Sequence, residues 1–408
     1  MSESKSYRWI VVAAGAFIQM CCGTAYIWGI FQKPVVTALG WDNKGAGIAF
    51  SMLLGMLTFG AMIGGKAQDK FGPKPVIFIS GLVMGLGFIL ASFVTKDAKE
   101  MLWLTYGVMG GVAMGAAYTT TISTCQKWFP DKRGLISGLI VAALGSGGLV
   151  FTPIADNLLK VQKVPVMSVF MWLGIAFVVI CTIGSLILKN PPEGFKPEGW
   201  NPPEKATNAV ATTQYSPSGV LKTPQYYIMA VAYMFGCSAG FMVIPYAGKL
   251  VDAKIAILTV MIIAAFNSAG RLFWGWLSDR IGRKQTIITA MIIASITALI
   301  ISVIMLAFTS LKTPPVVISI IAIVAFTYGG LLGTFPSLTA DYYGTKNMGM
   351  NYGLVMFGFS LGAVVFTYVA GAFVDAKMSF GYPFLISAIA ALIAAGLISL
   401  LKAPKAKA

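Results

Sequence analysis

The chain has 408 residues, of which 57% are hydrophobic and 11% charged, and its formal net charge is +16. Soluble domains carry about a quarter charged residues, so the composition excludes an ordinary soluble enzyme and indicates a membrane protein. The basic excess would suit nucleic acid, but no stacking aromatics alternate with the basic residues outside the apolar runs, which argues against that partner.

The chain begins with a short polar segment, and the first apolar run is about 24 residues, too long for the ~7–15-residue core of a signal peptide. It is read as a retained first span. Twelve such runs follow one another, near 9–32, 46–65, 75–95, 101–124, 134–157, 166–188, 225–248, 255–277, 286–309, 315–339, 350–373 and 381–401. Each is long enough to cross a hydrocarbon core of ~30 Å as a helix. Placing both termini on one side puts 19 basic residues there and 10 on the other, with Arg271 in the membrane. The richer side is expected to be cytoplasmic, with both termini inside a cytoplasmic membrane.

After span two the sequence reads GKAQDKFGPK (65–74), and after span eight GWLSDRIGRK (275–284). Gly65, Asp69, Lys70, Gly72 and Lys74 recur 210 positions later as Gly275, Asp279, Arg280, Gly282 and Lys284. A looser echo pairs KWFPDKRG from Lys127 with DYYGTKNMG from Asp341. The repeat divides the chain into two parallel halves. The expected organisation is a six-helix bundle over 1–188, a polar, proline-rich cytoplasmic linker over 189–224 and a second six-helix bundle over 225–408. The expected fold class is thus all-α integral membrane, twelve transmembrane helices in two six-helix halves.

The five cysteines, Cys21, Cys22, Cys125, Cys181 and Cys237, are scattered and suggest neither a metal site nor a disulfide framework. Gly107, Gly111 and Gly115 on span four, and Gly81 and Gly85 on span three, form small-residue stripes suited to close helix approach, whether sliding or static. Gly145, Gly147, Gly148 and Pro153 on span five and Pro245 on span seven are candidate bends.

Arg271 stands inside span eight, while all fourteen acidic residues fall in loops or at span ends. A charge at that depth costs at least ~2.5 kcal/mol and needs a cavity or a partner. An anionic ligand from outside the protein would serve. The alternative is an arginine that snorkels toward the interface Trp274 and Trp276 would mark. Its planar fork suits a carboxylate, and Asn267, four residues earlier on the same face, can add a donor or acceptor. The loop aspartates Asp69 and Asp279 can cap exposed amides at the start of a neighbouring helix, or the loop charges can simply fix topology.

The repeated loop resembles the signature of the major facilitator superfamily, over the whole chain. WFPDKRGLISG, GRLFWGWLSDRIGR, TYGGLLGTFPS and the NYG at Asn351 are together similar to the oxalate/formate antiporter family, which includes bacterial lactate and pyruvate carriers. The resemblance implies that Arg271 is the substrate-binding arginine and that Tyr26, Tyr118 and Tyr328 face the ligand; each tyrosine alone is as well explained by packing. It further implies that Gly65, Asp69, Lys70, Gly275, Asp279 and Arg280 form a gate holding the cytoplasmic side shut between the halves.

Departures from that family's oxalate pattern are informative. Phe359 stands where the oxalate exchanger has a second cation, and Leu144 and Leu332 stand where it has tyrosines. One carboxylate clamp and an apolar wall suit a monocarboxylate such as lactate or pyruvate. Animal monocarboxylate carriers place an aspartate where this chain has Asn267, and there is no histidine, so a proton route is not visible. The sequence therefore predicts a secondary carrier of small monocarboxylates, working as a monomer by alternating access, with a proton as a further passenger to be tested. An oxalate/formate exchanger is the alternative. No catalytic residue, metal or cofactor is expected: the chain has no buried carboxylate pair, metal-ligand cluster or phosphate-binding loop.

Overall fold

The computed structural model describes residues 2–24, 28–41, 43–198, 200, 214–252, 255–308 and 313–402, with side chains left aside at 2–5, 29, 43–46, 245, 248–249, 257 and 375. Tyr26 and most of the linker lie outside the described residues.

Every regular element among the described residues is helical. Ten helices are long and apolar enough to cross a membrane: Gly47–Phe71, Pro73–Ala91, Arg133–Val161, Val166–Ile187, Pro224–Val243, Leu258–Ile281, Arg283–Leu306, Pro314–Tyr343, Met348–Val374 and Gly381–Ser399. These are spans two, three and five to twelve. Span one is split into Ser2–Cys22, followed by a 3-10 turn at Gly23 and Thr24, and Trp28–Leu39. Span four starts at Lys99–Leu102, passes through a π-helical stretch, Trp103–Met109, and continues as Gly110–Trp128. Its hydropathy is lowered by Thr119, Thr120, Thr121, Ser123, Thr124 and Gln126, all buried. A polar helix is tolerated at membrane depth because the protein, not lipid, surrounds it. Span seven is broken at Cys237 between Pro224–Gly236 and Ser238–Val243 and ends in a 3-10 segment, Ile244–Lys249. Span five runs through Pro153 as one helix, Arg133–Asp156.

Spans two, eight and ten end on glycines with φ of 82°, 92° and 81° at Gly72, Gly282 and Gly344. A left-handed residue closes the helix there, which gives the repeated loop glycine a backbone reason. Pro73 then opens span three in its first turn, where a missing amide costs nothing.

Residue contacts divide the chain into two compact units. Unit 1 comprises Met1–Asp131, Ala143–Asn201 and Thr345–Gly353; unit 2 comprises Lys132–Ala142, Pro202–Gly344 and Leu354–Ala408. The start of span five thus clusters with unit 2, and the start of span eleven with unit 1. Unit 1 is centred on interlocking rings: Phe88 packs edge-on against Tyr106, Phe170 and Phe177 at centroid separations of 5.3, 5.9 and 5.1 Å. The glycine stripe of span four lies on span two: a Cβ on Gly107, Gly111 or Gly115 would run into the carbonyls of Ala49, Leu53 and Leu57. In unit 2, span eight is clasped in the same way by Gly329 and Gly333 of span ten and by Gly134 and Gly138 of span five.

Candidate functional site

In unit 2, the glycine contacts around span eight bring Arg271 inside the protein. Gly138 and Gly333 have no side chain to hold their helices away from the Arg271 backbone, and a Cβ on either would collide with its carbonyl oxygen. The Arg271 residue is 2% exposed. Its Nε donates to Asn267 Oδ1 at 3.0 Å and its Nη1 to the carbonyl of Val141 at 2.5 Å. A snorkelling arginine would leave its head at a surface; this one is buried and oriented by two bonds. Among the described residues no carboxylate pairs with it, and three of its five N–H groups bond to none of those residues. That is the donor set a carboxylate takes, and the local charge favours an anion.

A wall of rings belongs to the same unit. Tyr233 stacks on Phe335 at 3.9 Å with the planes 5° apart, Phe359 tilts against Tyr233 at 5.3 Å, and Phe241 meets Phe359 edge-on at 5.0 Å. Phe241 also lies 5.8 Å from Tyr328, whose ring fills the space that Gly240 leaves. Phe359 and Tyr328 are half-buried, and Leu332 is buried. Phe359 therefore sits in an aromatic setting that gives no counter-charge for a cation.

In unit 1, Tyr118 is buried and its hydroxyl is 3.3 Å from that of Tyr352, the rings 6.2 Å apart. Leu144 is buried in the same unit. Tyr352 and the Val141 carbonyl were not singled out from sequence. The NYG motif was a signal for Tyr352, whereas a backbone carbonyl leaves none.

The repeated loops have matching geometry. Asp279 accepts the amides of Gly134 and Leu135 at 2.9 and 2.8 Å, at the start of span five in unit 2. Asp69 accepts those of Gly349 and Met350 at 3.4 and 3.1 Å, at the start of span eleven in unit 1. Each carboxylate thus caps a helix whose first amides are otherwise unpaired, at the positive end of its dipole. Gly275 and Gly65 permit the approach, since a Cβ on them would overlap the backbones of Gly134 and Gly349. Lys70 and Arg280 turn instead to neighbouring rings, Lys70 5.0 Å from Phe71 and Arg280 4.3 Å from Trp276.

The Asp279 cap is embedded in further charge. Arg283 bridges Asp279 at 2.6 Å and Asp341 at 3.0 Å, and Asp341 also pairs with Arg133 at 3.0 Å. All four residues belong to unit 2. The five cysteines are free and buried, and no group of three metal-ligating residues occurs among the described residues.

The Major Facilitator Superfamily model matches residues 12–356 and 251–408, which together span nearly the whole chain. The chain belongs to the Major Facilitator Superfamily. Within it, the protein is 29% identical over 395 residues to the oxalate:formate antiporter of Oxalobacter formigenes, covering 95% of this chain and 90% of that one. It is 23% identical over 432 residues to monocarboxylate transporter 12 of Mus musculus, covering 98% and 86%. Among solved structures, the E. coli fucose:proton symporter superposes with a TM-score of 0.71 over 96% of this chain and 98% of that one. At 14% identity that last likeness concerns the fold alone. The protein is thus a multi-pass membrane protein with the facilitator fold, and the relatives named here are transporters.

Proposed function

We propose that the protein is a secondary carrier of small monocarboxylates of lactate or pyruvate size, working by alternating access in a cytoplasmic membrane with both termini inside. The observation that carries this reading is Arg271: a buried, oriented guanidinium with spare donors and no paired carboxylate among the described residues. Its cargo supplies the missing negative charge. Asn267 holds the Nε edge, which leaves the outer nitrogens to take the two carboxylate oxygens side by side.

Phe359 supports one carboxylate rather than two. Packed against Tyr233 and Phe241, it offers an apolar face for a methyl group and nothing for a second anion. We assign gating to the Asp69 and Asp279 caps, with Gly65 and Gly275 allowing the approach, on a loop-bearing end that faces the cytoplasm. The organisation into bundles 1–188 and 225–408 joined by 189–224 belongs to the same reading.

An oxalate/formate exchanger is the second reading, favoured by the near-full-length similarity to the Oxalobacter antiporter. Competition of unlabelled lactate, pyruvate, formate and oxalate against one labelled substrate separates the two, with wild type and Phe359→Lys side by side at two pH values. The expected result is lactate or pyruvate above oxalate for wild type, and a shift of the ratio toward oxalate in the variant. A lysine there sits in an aromatic setting in the same unit as Arg271, so desolvation limits the shift and makes it larger at low pH. Wild type preferring oxalate over every monocarboxylate would overturn the first reading in favour of the second.

A further inference from the structure

Most hydroxyl residues inside these helices share one habit. Thr119 bonds the Gly115 carbonyl one turn back, Thr121 that of Ala117, Thr327 that of Ile323, Thr334 that of Gly330 and Thr339 that of Phe335. Three residues of span four break it. The hydroxyls of Thr120, Ser123 and Thr124 have no partner among the described residues, although they are at most 1% exposed. On span two, Gln68 is 0% exposed and neither polar atom of its carboxamide is bonded to a described residue.

The packing register brings these groups together in unit 1. Spans two and four match in steps of four residues: Gly107 meets Ala49, Gly111 meets Leu53, Gly115 meets Leu57, and Thr119 donates to the Ala61 carbonyl at 3.1 Å. The next steps set Ser123 beside Gly65 and Lys127 beside Asp69, whose charge does act on Lys127. A second row, Gly60 on Val112 and Gly64 on Ala116, leads to Gln68 and Thr120. Thr120, Ser123, Thr124 and Lys127 occupy positions i, i+3, i+4 and i+7, a single helical face. The first turn of span eleven lies over this region: Gly349 touches Gly65 and Gln68, and the Gly349 and Met350 amides bond Asp69.

Buried hydroxyl and amide groups without partners are costly, so a protein that retains several on one face has a partner for them in another state. Hydroxyls and a carboxamide that lead to an ammonium are the chemistry of an anion site, and the Asp69 carboxylate beside them has both oxygens taken up by amides. We propose that Gln68, Thr120, Ser123 and Thr124, ending at Lys127, form a second, transient station for the carboxylate in unit 1, uncovered when the first turn of span eleven lifts from Gly65 and Asp69. This rests on the reading above that the cargo is a carboxylate and that the loop-bearing end faces the cytoplasm.

The test places a thiol on the stripe, Ser123→Cys and separately Thr124→Cys, with the unmodified chain, whose cysteines are all buried, as blank. Inside-out and right-side-out vesicles are treated with an anionic and a cationic methanethiosulfonate of similar size. The station predicts reaction from the inside-out face, faster with the anionic reagent, and slowed by lactate. Lys127→Gln should slow the anionic reagent about fivefold and speed the cationic one by a similar factor, so that their ratio falls by about 25-fold, the effect of one unit charge a few ångströms away in a polar site. If both thiols are inert from either face, or if they react without charge preference, the station is wrong. If the anionic preference is present and depends on Lys127 but neither lactate nor oxalate slows labelling, the station stands and the carboxylate reading of the cargo falls.

Discussion

Spans two and eight carry the same loop and differ in their interiors. Where span eight has Asn267 and Arg271, span two has Leu57 and Ala61 at the positions 210 residues earlier, and where Arg283 follows the loop of span eight, Pro73 follows that of span two. Both spans lie against glycines and both loops cap a neighbouring helix; among the described residues Asp279 has a salt bridge within a wider ion network, whereas Asp69 feels the charge of Lys127 without a bridge. Capping is needed once in each unit, so the loop is kept twice. A buried cation is costly, and on the proposed reading of a cargo with one carboxylate a single clamp suffices. The bonds to Asp279 are 2.8–2.9 Å, against 3.1 and 3.4 Å for Asp69.

The comparison breaks most severely at Arg271. Arg271→Gln should lose substrate binding by about 3 kcal/mol, roughly 100-fold, which is the scale of removing one partner of a desolvated charge pair. Because no carboxylate among the described residues is stranded, thermal stability should change by no more than about 1 kcal/mol. Near-normal affinity by equilibrium binding would remove Arg271 from the site. Arg271→Lys should recover only part of the loss, as an ammonium lacks the planar fork.

Next in size is the cap of span eight. Asp279→Asn leaves Arg283 with Asp341 as its one carboxylate partner among the described residues and weakens two charge-assisted bonds, so about 2–3 kcal/mol should be lost from the contact with the start of span five. The readout is labelling of a cysteine placed near Gly134 from the loop-bearing side; unchanged labelling would reduce the loop to a topology signal. Asp69→Asn should have the same sign with a smaller effect, about 1 kcal/mol, the worth of a charge at a helix terminus without a bridging arginine. If the two variants open equally, the ion network contributes nothing to the difference.

The smallest expected effect is the most specific. Pro73→Arg puts a guanidinium four residues after Asp69, as Arg283 is after Asp279. It should tighten the Asp69 cap by no more than about 0.5 kcal/mol, the value of a partly exposed pair, with some offset from loss of the proline at the helix start. Reduced labelling near Gly349 is the expected outcome, and increased labelling would show that Pro73 matters more than charge.

Much of this was readable from the chain because it rests on local pattern. Apolar length marks spans, the register of GKAQDKFGPK and GWLSDRIGRK reveals the repeat, and a guanidinium amid uncharged residues announces itself. Hydropathy alone under-reports spans one and four, because one is interrupted after Cys22 and the other carries its polar residues buried inside the protein. Asp341 and Arg133 stood in the loose echo of the loop without showing that Arg283 would join them.

The sequence by itself determined the membrane class, the repeated loop and the isolated arginine, since each is a matter of residue type and spacing along the chain; Phe359 gains its meaning only from the resemblance to the oxalate pattern. Only the tertiary structure decided that the Val141 carbonyl orients Arg271, that Tyr352 meets Tyr118, that Phe359 joins Tyr233 and Phe241, and that four charged side chains converge around Arg283. Those contacts depend on how far each helix is rotated and shifted against its neighbour. That is set by the packing of small residues such as Gly138 and Gly333 across the interface, and it leaves no periodic trace in the sequence of either helix alone.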